Sequence, residues 1–168
     1  DLLKVKPNNA HFALAELENK FDVHIITQNV DDLHERAGST KVLHLHGELL
    51  KMRSTGDSSL ILPITEDIKV GDKCPKGFQL RPHIVWFTEQ VPNMGTAHEI
   101  TESADIFIVV GTSLKVYPAA TLLESVTFQK PIYFIDPNAT KIDGIPNVKY
   151  IKKKASTGVT ELVNKLMK

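Results

Sequence analysis

The run Ala104-Asp105-Ile106-Phe107-Ile108-Val109-Val110-Gly111 constrains the fold of this chain more than any other. A strand buried on both faces reads as a continuous apolar run, not as an alternating one, and such strands belong to parallel sheets covered by helices. The run opens into Gly111-Thr112-Ser113, a strand-to-helix turn. Around it the pattern repeats. Asn8 or Asn9 caps a predicted helix through about Asn19, with Ala10, Leu14 and Leu17 on one face. Phe21 to Thr27 reads as a strand, and Asp31 and Asp32 open a short helix closed by Gly38. Val42 to His46 is a strand ended by Gly47, and Ile84 to Phe87 resumes the sheet. Asn93 to Ser103 and Ala119 to Phe128 read as helices, Pro131 to Ile135 as another buried strand and Val148 to Ile151 as a short last one. Ser156 or Thr157 caps a terminal helix through Leu166. Strands alternating with helices predict an α/β fold with a mostly parallel, doubly wound sheet.

Residues 49–80 break this rhythm. They lack sustained periodicity and are rich in Gly, Pro, Asp, Ser and Lys, which predicts a small inserted module between two parts of one domain, 1–48 and 81–168. The 168 residues suffice for one domain with a sound core. Formal net charge is zero, and Lys152-Lys153-Lys154 is the only basic run, read as a solvated strand end; no nucleic-acid partner is expected. No apolar stretch approaches the roughly 18 residues of a membrane helix. The one cysteine, Cys74, excludes an intrachain disulfide. The expectation is a cytoplasmic protein with no membrane partner.

Chemistry concentrates between Thr27 and Glu48. Gln28, Asn29 and Asp31 fall at the carboxyl end of a strand, where open α/β sheets bind ligands. His44 and His46 share one face of the next strand. They raise the idea of a metal pair, but no third ligand stands at a recognisable spacing, and the reading is poor. Gly111 lets the backbone approach a ligand, and Thr112 and Ser113 offer hydroxyls and amides; a plain turn favours the same residues. Asp136 ends the strand Ile132 to Ile135, where an acidic residue commonly binds ribose hydroxyls, although Asp-Pro also starts ordinary turns.

T-Q-N-x-D-x-L-H-x-x-A-G followed by H-x-H-G-E-L resembles the sirtuins, NAD-dependent protein lysine deacylases, in their bacterial form. Pro7-Asn8-Asn9-Ala10-His11 upstream, Arg81-Pro82-His83-Ile84-Val85-Trp86-Phe87 downstream and Gly111-Thr112-Ser113-Leu114-Lys115-Val116-Tyr117-Pro118-Ala119-Ala120 extend the likeness along almost the whole chain. The resemblance implies a Rossmann-like domain with NAD as co-substrate and an acylated lysine of a protein or peptide as the other substrate. It implies that His46 is the general base. An imidazole, with an ordinary pKa of about 6.5, accepts a proton near neutrality. In the family the acyl oxygen attacks C1′ of the ribose as nicotinamide leaves. The histidine then activates a ribose hydroxyl, and the product is O-acyl-ADP-ribose. Gln28, Asn29 and Asp31 would hold the nicotinamide-side ribose. Gly111, Thr112, Ser113 and Val116 would line the adenosine side, and Asp136 would meet its ribose.

Val85, Trp86, Phe87, Thr88 and Glu89 resemble the segment that pairs with the substrate backbone, with Val85 and Phe87 at the lysine tunnel and one of Trp86 and Phe87 expected in the core. The family carries glycine at Thr88, and a β-branched residue there narrows peptide access. Many members also bind structural zinc through paired Cys-x-x-Cys motifs. Residues 49–80 have one cysteine and no histidine, so no zinc is expected.

The chain begins at Asp1, and Asp1-Leu2-Leu3-Lys4-Val5-Lys6-Pro7 reads as a helix end and linker. The expectation is therefore an incomplete sheet, lacking the first strand and glycine-rich turn that cradle the NAD diphosphate, and weak NAD binding by this polypeptide alone. His46 to Arg53 resembles the branch that removes acidic acyl groups as well as acetyl. A non-catalytic ADP-ribose or acyl-peptide binding module is the alternative function, and ADP-ribosyl transfer a third.

Overall fold

The computed structural model describes residues 2–112, 119–126 and 129–168. Helix α1 (Asn9–Leu17) starts where Asn8 meets a reciprocal cap. The Asn8 side chain accepts from Ala10 N, and the Asn8 amide donates to Nδ1 of His11. Ala10, Ala13 and Leu17 are its buried face. The chain keeps turning after the helix, with Lys20 N and Phe21 N both bonded to the Leu17 carbonyl. Strand β1 is consequently only Ile25–Thr27, shorter than the expected Phe21 to Thr27. Phe21 and Val23 instead pack beside α1 in the core.

Helix α2 (Leu33–Ala37) ends at Gly38, whose φ of 107° is the left-handed cap that only glycine adopts cheaply. Strand β2 (Val42–His44) pairs in parallel with β1, Thr27 opposite His44. It stops two residues before His46, and Gly47 is not a terminating turn. It opens strand β3 (Gly47–Ser54) at φ 80°. A Cβ there would stand 2.0 Å from the His83 carbonyl oxygen, so glycine is what allows the chain to leave one sheet for another.

Strand β3 is the middle of an antiparallel sheet with β4 (Ile61–Pro63) and β5 (Leu80–Ile84), order β4-β3-β5. The region without apparent periodicity thus holds a sheet, and the sheet reaches slightly beyond 49–80 at both ends. Ile84 to Phe87 does not resume the parallel sheet: Ile84 ends β5, opposite Gly47. Cys74 is buried, and its Sγ donates to Ser54 Oγ at 3.3 Å. The same oxygen accepts from the amides of Gly56 and Asp57, while Lys76 pairs with Asp57 at 2.6 Å. These bonds gather the strand-end loops of the module.

After helix α3 (Met94–Ser103), strands β6 (Phe107–Val110), β7 (Ile132–Ile135) and β8 (Val148–Ile151) form a parallel sheet in that order. Strand β7, the central one, is fully buried, as expected of Pro131 to Ile135; β6, also expected to be fully buried, pairs only with β7 among the described residues and is mostly half-buried. Tyr133 and Ile135 of β7 face α1 and α5 (Ala155–Leu166), whereas Ile132 and Phe134 pack with residues of the other face, including Leu123 of α4 (Ala119–Glu124). Helices therefore cover both faces, the doubly wound arrangement. The terminal helix starts at Ala155 after Lys154, without the side-chain cap expected from Ser156 or Thr157. Leu45, 1% exposed, joins the halves: it packs with Ala97 and Leu122, and Ile26, Leu43 and Phe107 close around them.

Candidate active site

The ends of β1 and β2 bring the two chemistry-bearing segments together. Leu45 N donates to the Thr27 carbonyl, so the residues after Thr27 lie beside His44 and His46. The turn is fixed from within. Thr27 Oγ1 accepts from Asn29 N at 3.1 Å, and Asp31 Oδ1 accepts from Leu33 N at 3.1 Å in an Asx turn leading into α2, whose N-cap Asp32 makes no side-chain cap bond. Gln28 and Asp31 are half-buried and Asn29 is exposed.

Nδ1 of His46 stands 2.9 Å from the carbonyl oxygen of Gln28. A carbonyl only accepts, so Nδ1 carries the proton and Nε2 keeps a lone pair. His44 reaches the adjacent carbonyl, Asn29 O, at 3.3 Å through its own Nδ1, and its Nε2 meets Oε1 of Glu35 at 2.7 Å. Both histidines expected on one face do point to the 28–29 backbone. From behind, Asn93 Nδ2 donates to the His44 carbonyl at 2.9 Å. Glu35, His44 and Glu48 form the one group of three possible metal donors among the described residues. Each is already engaged, Glu48 by Lys51 at 2.8 Å.

Val85 N donates to the His46 carbonyl at 2.9 Å, which sets the 85–89 segment beside the imidazole. Trp86 is 52% exposed and Phe87 fully exposed, so neither is the core aromatic that one of them was expected to be. Glu89 ties the segment down. Its carboxylate takes Arg81 at 2.5 and 3.2 Å, the Trp86 amide at 3.1 Å and Arg53 at 3.3 Å. The Arg81 hydrogen bond first, then that of the Trp86 amide, holds the Glu89 carboxyl down at about 2. With both carboxylate oxygens so used, Glu89 anchors Val85, Trp86, Phe87 and Thr88. Arg81 and Arg53 lie in motif segments, but their pairing with Glu89 and the roles of Glu35 and Asn93 had no signal in the sequence, because each acts across strands or elements without a local period.

A second cluster forms at the ends of β6 and β7. Gly111 N donates to the Ile135 carbonyl at 3.0 Å, which puts Gly111 and Thr112 next to Asp136. Gly111 has φ 62° and is exposed, and among the described residues nothing lies within 4 Å of a Cβ built there. Asp136 Oδ1 accepts from Asn138 N at 2.7 Å in an Asx turn. Both readings of Asp136 from sequence are thus compatible. The expected residues Ser113 and Val116 lie outside the described residues, as does the end of the expected helix Ala119 to Phe128. A groove of about 720 Å³ bordered by Leu49, Ile64, Ile68, Val70 and Pro82 runs along the small module, and none of the expected cofactor residues lines it.

In a doubly wound α/β domain, polar groups at the strand ends mark where nucleotide-binding enzymes of this architecture hold their ligands. The Sir2 family model matches residues 1–118, and the chain belongs to that family. It is 50% identical over 167 residues to an NAD-dependent protein deacylase of Bacteroides thetaiotaomicron, covering 96% of this chain and 71% of that protein. With an NAD-dependent protein deacylase of Helicobacter pylori it shares 48% over 166 residues, 99% of this chain and 72% of the relative. Among solved structures, a Sir2 homolog in complex with NAD superposes with a TM-score of 0.85 at 40% identity, covering 99% of this chain and 67% of that one. A Sir2–p53 peptide–NAD complex gives 0.75 at 32% identity, over 99% and 71% of the two chains.

Proposed function

We propose that this chain carries the nicotinamide-side chemistry of an NAD-dependent protein lysine deacylase, with His46 as general base. NAD supplies the activated ribose carbon, and the acyl group leaves on the ADP-ribose product. The observation that carries the assignment is the 2.9 Å contact of His46 Nδ1 with the Gln28 carbonyl, which leaves Nε2 able to take a proton. The residues present suit the cofactor: Gly111 offers a backbone without a side chain of its own, and Gln28, Asn29 and Asp31 offer amide and carboxylate groups for hydroxyls.

Each remaining residue has a distinct task in this reading. Gln28, Asn29 and Asp31 orient the ribose from a turn that Thr27 and Leu33 hold rigid. Gly111, Thr112, Ser113, Val116 and Asp136 bind the adenosine end. Val85, Trp86, Phe87 and Thr88 receive the acyl-lysine peptide as an added strand, and Glu89 fixes their turn. Residues 49–80 are a small module within the 1–48 and 81–168 domain, held by the Ser54–Cys74 and Asp57–Lys76 contacts without zinc. Both deacetylation and desuccinylation fit the reading, as does a cytoplasmic place of action.

Incubating the full-length protein with NAD and acetyl- or succinyl-lysine peptides tests it. One nicotinamide released per lysine deacylated is the expected result. Peptide deacylation at the same rate without NAD would sink the proposal.

A further inference from the structure

Both ring nitrogens of His44 face oxygens that only accept: a Glu35 carboxylate oxygen at 2.7 Å from Nε2 and the Asn29 carbonyl at 3.3 Å from Nδ1. A neutral imidazole has one N–H, so either neutral tautomer sets a lone pair against a lone pair at one contact. Only the imidazolium donates to both. His44 is 7% exposed, and a charge so buried requires a partner, which Glu35 provides. The surrounding titratable groups agree with this charge. Glu48 of β3 lies within the same 4.8 Å donor group and is itself paired with Lys51. His34 of α2 and His83 of β5, which also sense His44, are both held below the ordinary imidazole value, chiefly by burial.

The position of this dyad gives it a task. Consecutive carbonyls, Gln28 O and Asn29 O, are each held by an imidazole from the same segment, His46 and His44. Asn93 fixes the His44 backbone from α3. We propose that His44 is a positioning residue for deacylation: as an imidazolium braced by Glu35, it clamps the Asn29 carbonyl and sets the Gln28–Asp31 turn against His46. The inference rests on the reading of His46 and Asn29 as parts of the cofactor site.

Glu35→Gln in the full-length protein is the discriminating variant. A carboxamide can donate to Nε2, so a neutral His44 keeps its Nδ1–H on Asn29 and both contacts survive. Glu35→Gln should therefore keep kcat/KM for NAD within about threefold of wild type. Glu35→Ala and His44→Leu should lower kcat/KM for NAD by about tenfold or more, with the peptide KM little changed. Nitrogen-15 spectra of the imidazoles read the same state without activity, and both His44 nitrogens should be protonated near pH 7. A neutral His44 in those spectra overturns the proposal, as does His44→Leu with kcat/KM within twofold of wild type. Should His44→Leu fail to fold, Glu35→Ala with kcat/KM for NAD within twofold of wild type is the overturning result. Full activity in His46→Ala would instead overturn the underlying site reading, and the spectra would still report on His44.

Discussion

The imidazole of His46 is oriented by the backbone of Gln28: Nδ1 donates across 2.9 Å, and Nε2 is the ring's one remaining acceptor. A half-buried histidine set in this way is fixed in tautomer and direction before any ligand arrives, which is what a general base needs. The contact depends on the path of the chain through Gly47, on the β1–β2 pairing and on the Gln28–Asp31 turn.

Gly47 is the most exacting of these supports. Gly47→Ala places a methyl group 2.0 Å from the His83 carbonyl oxygen at a φ of 80°. The expected loss is at least about 2 kcal/mol of unfolding free energy, read from urea denaturation, together with a fall in activity as His46 shifts. A variant with wild-type stability would mean that the β3–β5 crossing is looser than this geometry.

Acid should loosen the 85–89 segment through Glu89. Its folded-state value of about 2 lies below the ordinary 4.5, so its contribution to stability is present above pH 4.5 and is lost as the pH falls toward 2. Glu89→Gln should reduce the drop in urea midpoint between those limits. An unchanged slope of stability with pH would show that the Arg81 pairing carries no linkage.

Phe87 is fully exposed and can change without touching the core. Phe87→Ala should leave stability within about 0.5 kcal/mol of wild type and raise the KM for an acyl-lysine peptide several-fold, with the KM for NAD unaffected. An unaltered peptide KM would remove Phe87 from the substrate strand.

In the small module, Ser54 Oγ accepts from two amides and the Cys74 thiol. Ser54→Ala should cost about 1–2 kcal/mol and raise amide exchange at Gly56 and Asp57. A metal chelator should leave the wild-type melting temperature where it was; a chelator-induced drop would point to a metal in the module.

Much of this was legible in the sequence because it is local. Asn8 capping α1, Gly38 closing α2, β8 at Val148–Ile151 and the strand-end position of Gln28 and Asn29 all follow from short-range chemistry. What was not legible is non-local. The apolar run at Ala104–Gly111 reads as a fully buried strand, as does Pro131 to Ile135, yet burial depends on sheet neighbours, and of these two only β7 has them on both sides among the described residues. Gly47 looked like a strand end because nothing nearby signals that His83 passes so close. Trp86 and Phe87 are aromatic and were partly assigned to the core, but Glu89, held by two arginines from β3 and β5, turns their segment outward. The Glu35–His44 pair joins a helix to a strand, nine residues apart, with no period to betray it.

Replacement of His46 tests the central claim most directly. Full-length wild type and His46→Ala, matched in melting temperature, are compared for NAD-dependent deacylation of acetyl- and succinyl-lysine peptides. The account predicts at least about a hundredfold loss in the variant with its fold intact. Deacylation at the wild-type rate by His46→Ala would contradict it.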